Sequence, residues 1–164
     1  MKDKILFLNM FALYEPKEEH RALLEGARIR CAELDPAERR IELELDCEGP
    51  IPEQALVQIC RGAEGVYGLK ELSVLVHFPP GSLYRMEPSD LTQLFVRENP
   101  MLMGTLAGAA WEWEGMRLTI KLRANGKQQV LEAIPAVRRS LRDLCGADVE
   151  IAVEAGSDLQ GQAL

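Results

Sequence analysis

Basic side chains are concentrated in the second half of the sequence, and they have the clearest capacity for binding chemistry. Seven of them lie between positions 115 and 145 with only two acidic residues, so this stretch carries +5 while the rest of the chain carries −12. The seven are Arg117, Lys121, Arg123, Lys127, Arg138, Arg139 and Arg142. Because lysine and arginine pair with phosphates and carboxylates, this set is a candidate surface for DNA or an acidic protein partner.

The spacing of these basic residues determines whether they can act together. Arg117, Lys121 and Arg123 share strand parity and therefore one face of an extended segment. Arg138 and Arg142 are four residues apart and share one face of a helix. If the strand and the helix present both groups on one side, they form a phosphate-binding or acidic-partner surface; the alternative is a solvated face with local ion pairs. No aromatic residue is interspersed among them, so base stacking is not supported.

Two pairs of carboxylates could hold a divalent metal. Glu42 and Glu44 are two residues apart, as are Glu112 and Glu114, so each pair shares a face when extended. For Glu42 and Glu44 the alternative is a solvated face paired with arginines. The chain has two histidines, too few for a histidine-based metal cluster, and it contains no nucleophile motif, no phosphate loop with lysine and no H-E-x-x-H. We therefore predict no catalytic residue, no metal site and no cofactor.

Three further features have both a binding and a structural interpretation. The four cysteines, at 31, 47, 60 and 145, form no C-x-x-C pair and are predicted to be buried, reduced thiols. Residues 62–65 (GAEG) fit the G-x-x-G loop of KH nucleic-acid-binding domains, although Glu64 would repel phosphate and a helix end here also favours glycine. Trp111 and Trp113, near Met101 and Met103, could anchor a partner, but core packing is the commoner use.

The composition is that of an ordinary globular protein. The chain has 164 residues, 47% hydrophobic and 27% charged, with net charge −7, which suits one domain or two small ones. The longest apolar stretch, residues 5–14, is about half the roughly 18 residues that a membrane span needs. We read it as an N-terminal helix or strand, and we expect a cytoplasmic protein with no membrane partner.

The first half of the chain predicts a β-β-α-β unit over residues 1–84. Strands at 27–32 and 39–46 form a hairpin with a loop of three or five residues, because only an odd loop matches their apolar faces. Arg28 and Arg30 then lie opposite Glu42, Glu44 or Asp46. A helix over 52–63 ends in a glycine-rich stretch, and a strand follows at 69–78.

The second half predicts an α-α-β-α-β unit over residues 85–155. Helices are expected at 88–98 and 100–110, followed by a strand at 116–122 and a helix to about 145 that Pro135 should kink or split. Gly146 is the predicted helix cap, and a strand at 149–153 completes an α+β fold. The tail, 156–164, is typical of a linker and suggests a piece of a longer protein; a frayed C-terminus is the alternative.

The order of these elements resembles the N-terminal region of PolC-type DNA polymerase III α subunits, the replicative polymerases of low-GC Gram-positive bacteria. The resemblance covers about residues 9–153 and is one of pattern and order. It includes NMFALYEPKEEHRALLEGARIRCAELDPAERRIELELD, PIPEQALVQICRGAEGVYGLKELSVLVHFP, WEWEGMRLTIKLRANGKQQVLEAI and GADVEIAVE. Pro135 departs from the uninterrupted final helix.

The resemblance implies an accessory, non-catalytic interaction domain. In this family a nucleic-acid-binding fold and the exonuclease and polymerase modules follow, with metal-bound carboxylates that this chain does not contain. The parent would be a DNA-directed DNA polymerase with a 3′–5′ exonuclease and divalent metal. The region also looks similar to the α-binding domain of the clamp-loader tau subunit, which has a small KH-like α+β fold. The implied partners are replisome proteins such as tau, or DNA.

Two other function classes remain open from the sequence. The chain could be a freestanding protein-binding module unrelated to replication, which a stop codon directly after Leu164 would support. It could also be a small metal-dependent enzyme using Glu42 and Glu44, which predicts a shift in thermal stability with Mg²⁺ or Mn²⁺.

Overall fold

One chain path occurs twice in this protein. The computed structural model describes residues 5–155, and the chain divides between Met86 and Glu87 into two compact units. Each unit contains two short helices, a β-hairpin, a long helix and a third strand, in the order α-α-β-β-α-β. The α+β class is confirmed. The predicted boundary follows residue 84, and the predicted linker lies outside the described residues.

The two units have matching sets of elements. The first contains α1 (Phe7–Met10), α2 (Glu18–Leu24), β1 (Arg28–Asp35), β2 (Arg40–Asp46), α3 (Glu53–Tyr67), β3 (Glu71–His77) and a 3₁₀ helix (Pro80–Arg85). The second contains α4 (Pro88–Glu98), α5 (Leu102–Thr105), β4 (Ala110–Glu114), β5 (Arg117–Lys121), α6 (Lys127–Cys145) and β6 (Glu150–Glu154). The predicted orders lacked α1 and α2 in the first unit and β4 in the second.

Both sheets have the same topology. In the first the strand order is β1-β2-β3, with β1 antiparallel and β3 parallel to β2. In the second it is β4-β5-β6, with β4 antiparallel and β6 parallel to β5. The long helix of each unit is the crossover that two parallel strands require, and it covers one face of the sheet. The opposite face, which we call the open face, carries mostly exposed side chains.

A β-bulge sets the register of the first hairpin. The loop between Asp35 and Arg40 has four residues, so the predicted odd loop is wrong. The pairing shifts between Ile29 and Cys31, where Arg30 is the extra residue of a bulge. This extra residue lets the apolar side chains of β1 and β2 lie on the same face at the start of the hairpin. An odd loop would have given the same match without a bulge. The bulge also turns Cys31 onto the open face, opposite Glu44.

The first unit is built around α3. The apolar faces of β2 and β3 are buried beneath it, with Leu45 fully inaccessible. The helix runs to Tyr67, four residues beyond its predicted end, and stops at Gly68, which has a φ of +65°. On its other side Phe11 packs edge-on against Tyr67, with ring centroids 5.3 Å apart. The N-terminal apolar stretch therefore packs on the unit, as predicted.

The second unit is built around α6. Val130, Val137 and Leu141 on this helix are buried, as are Leu118 and Ile120 on β5. The helix continues through Pro135 as a single element, so of the predicted kink or split the split is absent. It ends at Gly146, whose φ of +71° confirms the predicted cap.

The strand β4 was not predicted from the sequence. Trp111 lies opposite Ile120 and Trp113 opposite Leu118, so this hairpin extends the buried face of the second sheet. The hairpin closes through Gly115, with a φ of +59°, and Met116. The preceding helix, predicted over 100–110, is limited to Leu102–Thr105, and a turn in which Gly108 has a φ of +72° leads from it to the start of β4 at Ala110.

Candidate interaction surfaces

The structure separates the predicted basic set. Arg117 and Lys121 alternate on β5 with Leu118 and Ile120, which are completely buried. Because α6 buries its own apolar side on the same face of the sheet as Leu118 and Ile120, the two strand residues point away from the helix. The basic residues of β5 and those of α6 therefore do not form one surface.

Arg117 and Lys121 of β5 lie on an acidic face of the second sheet. Residues paired directly across strands share a face, and Arg117 is paired with Glu114 on one side and Glu150 on the other. Lys121 Nζ lies 3.3 Å from Glu112 Oε1, and its strand neighbour on β6 is Glu154. This open face therefore carries four glutamates and two basic residues, which disfavours phosphate.

Two arginines of α6 donate hydrogen bonds to the same aspartate. Arg138 Nη2 donates to Asp148 Oδ1 at 2.7 Å, and Arg142 Nη2 donates to the same oxygen at 3.2 Å. The hydrogen bond from Arg138, followed by that from Arg142, holds the pKa of Asp148 below its usual value. Arg138 Nε is buried with no hydrogen-bond partner among residues 5–155. The hydrogen bonds from Arg138 and Arg142 to Asp148 thus connect the last turns of α6 to the loop before β6. Arg139, by contrast, is exposed.

The remaining two basic residues lie at the other end of α6. Lys127 is its first residue, and Arg123 lies in the preceding turn, where it is exposed. The first turn of the helix contains no acidic residue, so these charges add to the positive end of the helix dipole. Lys127 and Arg138 are separated by about 16 Å along the helix axis at 1.5 Å per residue.

The hydrophobic patterns of β5 and α6 in the sequence already indicate that their basic residues lie on different surfaces. Both β5 and α6 have one apolar and one polar face, and two such elements pack with their apolar faces together. Their polar faces must then point in opposite directions. The basic residues of each element lie on its polar face, so the sequence already favoured two surfaces.

The G-x-x-G motif does not form a loop. Gly62 and Gly65 both lie inside α3. A β-carbon on Gly62 would lie 2.5 Å from Cε1 of Tyr14, so the residue is needed for close packing of that ring. At Gly65 a β-carbon would meet no atom within 4 Å. A backbone loop that could cradle phosphate is therefore absent at these positions.

The tryptophans and the methionines have different roles. Trp111 is half-buried, and its ring centroid lies 6.1 Å from that of Phe95, which is fully buried. Met101 is 82% exposed and Met103 49% exposed. The tryptophans therefore take part in core packing, whereas the two methionines lie at the surface.

A hydrogen-bonded cluster on the first sheet was not predicted. His77 Nε2 donates to Glu44 Oε1 at 2.8 Å, and the thiol of Cys31 is also hydrogen-bonded to Glu44. The hydrogen bond from His77 holds the pKa of Glu44 below its usual value. Partial desolvation by neighbouring atoms, followed by the charge of Glu44, raises the pKa of Cys31. The three residues come from β1, β2 and β3, and the bulge in β1 brings Cys31 to Glu44. The sequence pattern does not reveal this bulge.

The other cysteines are buried, as predicted, whereas Cys31 is exposed and that prediction is wrong. Burial raises the pKa of Cys47 to about 12 and that of Cys60 to about 11, and it also raises that of Cys145. These thiols remain protonated at neutral pH. Among residues 5–155 no three His, Cys, Asp or Glu side chains are grouped to hold a metal.

Within the part of the chain that the structure describes, no helix is both long and apolar enough to cross a membrane. Comparison of the sequence with models of known protein families gives no match. Comparison with curated proteins likewise finds no match.

Proposed function

We propose that this chain is a non-catalytic interaction domain of a bacterial replicative DNA polymerase III of the PolC type, and that it contacts a protein of the replisome in the cytoplasm. The observation that carries the proposal is the path shared by both units, a hairpin and a parallel third strand around one long helix, which is a small α+β fold of the general kind that the resemblance implies. It agrees with the resemblance of the sequence to the N-terminal region of these polymerases and to the α-binding domain of tau.

Two features favour a protein partner over DNA. Gly62 and Gly65 lie within α3, where they offer no phosphate-binding loop. The basic residues are divided between opposite sides of the second unit, and those on β5 are surrounded by glutamates. A domain that binds the DNA backbone collects its positive charge on one continuous surface.

The contact surface that we propose is the arginine cluster of α6, defined as Arg138, Arg139 and Arg142. Its three guanidinium groups come from five consecutive residues on the last turns of one helix, and Asp148 accepts from two of them. Arg139 is exposed and carries its charge outward. We infer that an acidic surface of a replisome protein, with clamp-loader tau as the first candidate, binds here.

The test measures binding of the full chain to purified tau by calorimetry. Labelled single-stranded and double-stranded DNA are titrated in parallel over a salt series. Arg139→Gln should weaken binding to tau several-fold, because it removes one exposed charge from the cluster. The matched control, Arg117→Gln, removes one exposed charge from the opposite side of the sheet and should leave the affinity unchanged.

Other outcomes identify which part of the proposal fails. Salt-sensitive binding to DNA without binding to tau would replace the protein partner by the DNA backbone. Equal effects of Arg139→Gln and Arg117→Gln would remove the arginine cluster as the contact. An open reading frame that continues past Leu164 into exonuclease and polymerase modules is expected, whereas a stop codon there would overturn the polymerase assignment in favour of a freestanding binding module.

A further inference from the structure

The outer edge of β3 is open to another strand. The first sheet has the order β1-β2-β3, and no further strand lies beside β3 among residues 5–155. At the other edge of the sheet, by contrast, Ile5 and Leu6 lie beside the start of β1. The sequence of β3, ELSVLVH, contains no proline or glycine that would hinder pairing. An edge of this kind is a template for a strand of another chain.

The register of β3 on β2 determines which backbone groups of β3 face outward. The carbonyl of His77 accepts from the N–H of Cys47 at 2.8 Å, so His77 bonds towards β2. Alternate residues of a strand direct their N–H and C=O groups to the same side, so Leu75 also bonds to β2. The backbone groups of Val74 and Val76 therefore point to the outer edge.

Glu64 limits how far this edge can pair. Leu72 also points outward, and its N–H donates to Oε2 of Glu64 at 2.9 Å. Beyond the other end of the strand, Pro79 has no N–H to donate. The section of the edge that can bind another strand therefore lies between these two residues, around Leu75.

The groove between this edge and α3 carries a pattern that is complementary to itself. Glu53, Val57 and Arg61 lie four residues apart on one face of α3, and they line a groove of about 430 Å³ together with Leu72 and Val74 of β3. Both charged residues are exposed, and Val57 is 40% exposed. An antiparallel copy of this helix face, rotated about Val57, brings Arg61 opposite Glu53.

We propose that β3 pairs antiparallel with β3 of a second copy of this chain, about a two-fold axis at Leu75. Val74 of each copy then exchanges two backbone hydrogen bonds with Val76 of the other copy, and Leu72 keeps its bond to Glu64. The two first sheets join into one sheet of six strands. An axis at Val74 would instead require the N–H of Leu72, which already donates to Glu64.

The same axis aligns the two long helices. Leu72 lies beside Glu64, and Leu75 is about 10 Å further along β3 at about 3.3 Å per residue. Because α3 connects two parallel strands, it runs back along β3, and 10 Å corresponds to about seven residues of helix, from Glu64 to Val57. The axis at Leu75 therefore passes near Val57 of both copies, which is the alignment that the charges of α3 favour.

The spacing of strands and helices permits this contact. A helix that covers β2 and β3 in each copy is two strand spacings from its symmetry mate, about 9.6 Å at about 4.8 Å per strand. Packed helices lie about 8–10 Å apart. Leu75, which is 45% exposed on the open face, meets its own copy across the axis, and Val57 does so on the other face. The dimer thus removes two exposed apolar side chains of each copy from water.

The test is sedimentation velocity of the full chain over a concentration series, which should show a monomer–dimer equilibrium. Arg61→Glu and Glu53→Arg should each raise the dissociation constant about tenfold, since each places like charges at two symmetric contacts. The double variant exchanges the two charges and should restore the affinity of the parent. Val74→Pro removes an outward N–H and no bond to β2, so it should abolish the dimer while the unit stays folded.

Circular dichroism melts check that each variant is folded. Arg97→Glu on α4 of the second unit is the matched control, because it reverses one exposed arginine and should leave the dissociation constant unchanged. A chain that is monomeric at all concentrations overturns the proposal. A dimer that persists in Val74→Pro, or that the charge exchange fails to restore, excludes this interface. These outcomes are independent of binding to tau, which the proposed function places on the second unit.

Discussion

The ring of Tyr14 packs so closely on the α-carbon of Gly62 that a β-carbon there would lie 2.5 Å from Cε1. This contact fixes the chain after α1 against the middle of α3. Glycine is unfavourable inside a helix by about 1 kcal/mol relative to alanine, so its presence at Gly62 reflects packing rather than helix formation.

Gly62→Ala should destabilise the first unit. Overpacking of a tight contact costs about 1–3 kcal/mol, which exceeds the roughly 1 kcal/mol gained in helix propensity. Gly65→Ala is the matched control three residues away in the same helix, where a β-carbon meets nothing within 4 Å. Its free energy of unfolding should rise by about 0.5–1 kcal/mol. Urea unfolding measures both, and equal effects of the two changes would contradict the proposed role of Tyr14.

The thiol of Cys31 should be the first to react in the folded protein. It is exposed, whereas the other three cysteines are buried. Titration with a chromogenic disulfide reagent should therefore show one thiol reacting in the native state and the rest only on unfolding. Because Glu44 contributes to the raised pKa of Cys31, Glu44→Gln should accelerate this reaction at a given pH. An unchanged rate would show that Glu44 does not influence the thiol.

The hydrogen bond between His77 and Glu44 should make stability depend on pH in the acid range. The pKa of Glu44 is lowered from its ordinary value of 4.5 in the folded chain. Its contribution to stability is therefore present above pH 4.5 and is lost as the pH falls through the folded pKa. Glu44→Gln should lower the thermal unfolding midpoint at pH 7. The difference in midpoint between this variant and the parent chain should become smaller below pH 4.5. A difference that stays constant across this range would contradict the linkage.

Asp148→Asn should strengthen binding of an acidic partner to the α6 arginine cluster. The change removes the carboxylate that accepts from Arg138 and Arg142, so both guanidinium groups gain freedom to pair with a partner. Calorimetry with tau should show a higher affinity and a steeper dependence on salt. A lower affinity would indicate that Asp148 orients the arginines for binding. A melt of the variant separates this effect from loss of structure.

The alternating and helical patterns identified most elements of the fold. The strand β5 lies within an alternating pattern of seven residues, 116–122, and α6 has one apolar face over nineteen residues, so burial of one face determines the type of each element. The strand β4 was missed because Trp111 and Trp113 follow a predicted helix start at Asn99 and because only two residues separate β4 from β5. Short segments of this kind obtain their structure from the strand that they pair with.

The candidate surfaces were less predictable than the fold. The bulge at Arg30 changes the face of every residue before it relative to those after it, and no sequence rule places such a bulge. Exposure of Cys31 and its meeting with Glu44 and His77 follow from this one insertion. The basic residues stand out as a set by their charge alone, but their division between two sides depends on how α6 packs on β5.

The occurrence of one chain path in both halves has a consequence for how substitutions act. The two sheets have the same strand order, and each compact unit has its own set of buried residues. A substitution on the surface of one unit therefore need not disturb the packing of the other. The residues around Cys31 in the first unit and the arginine cluster of α6 in the second can accordingly be varied separately.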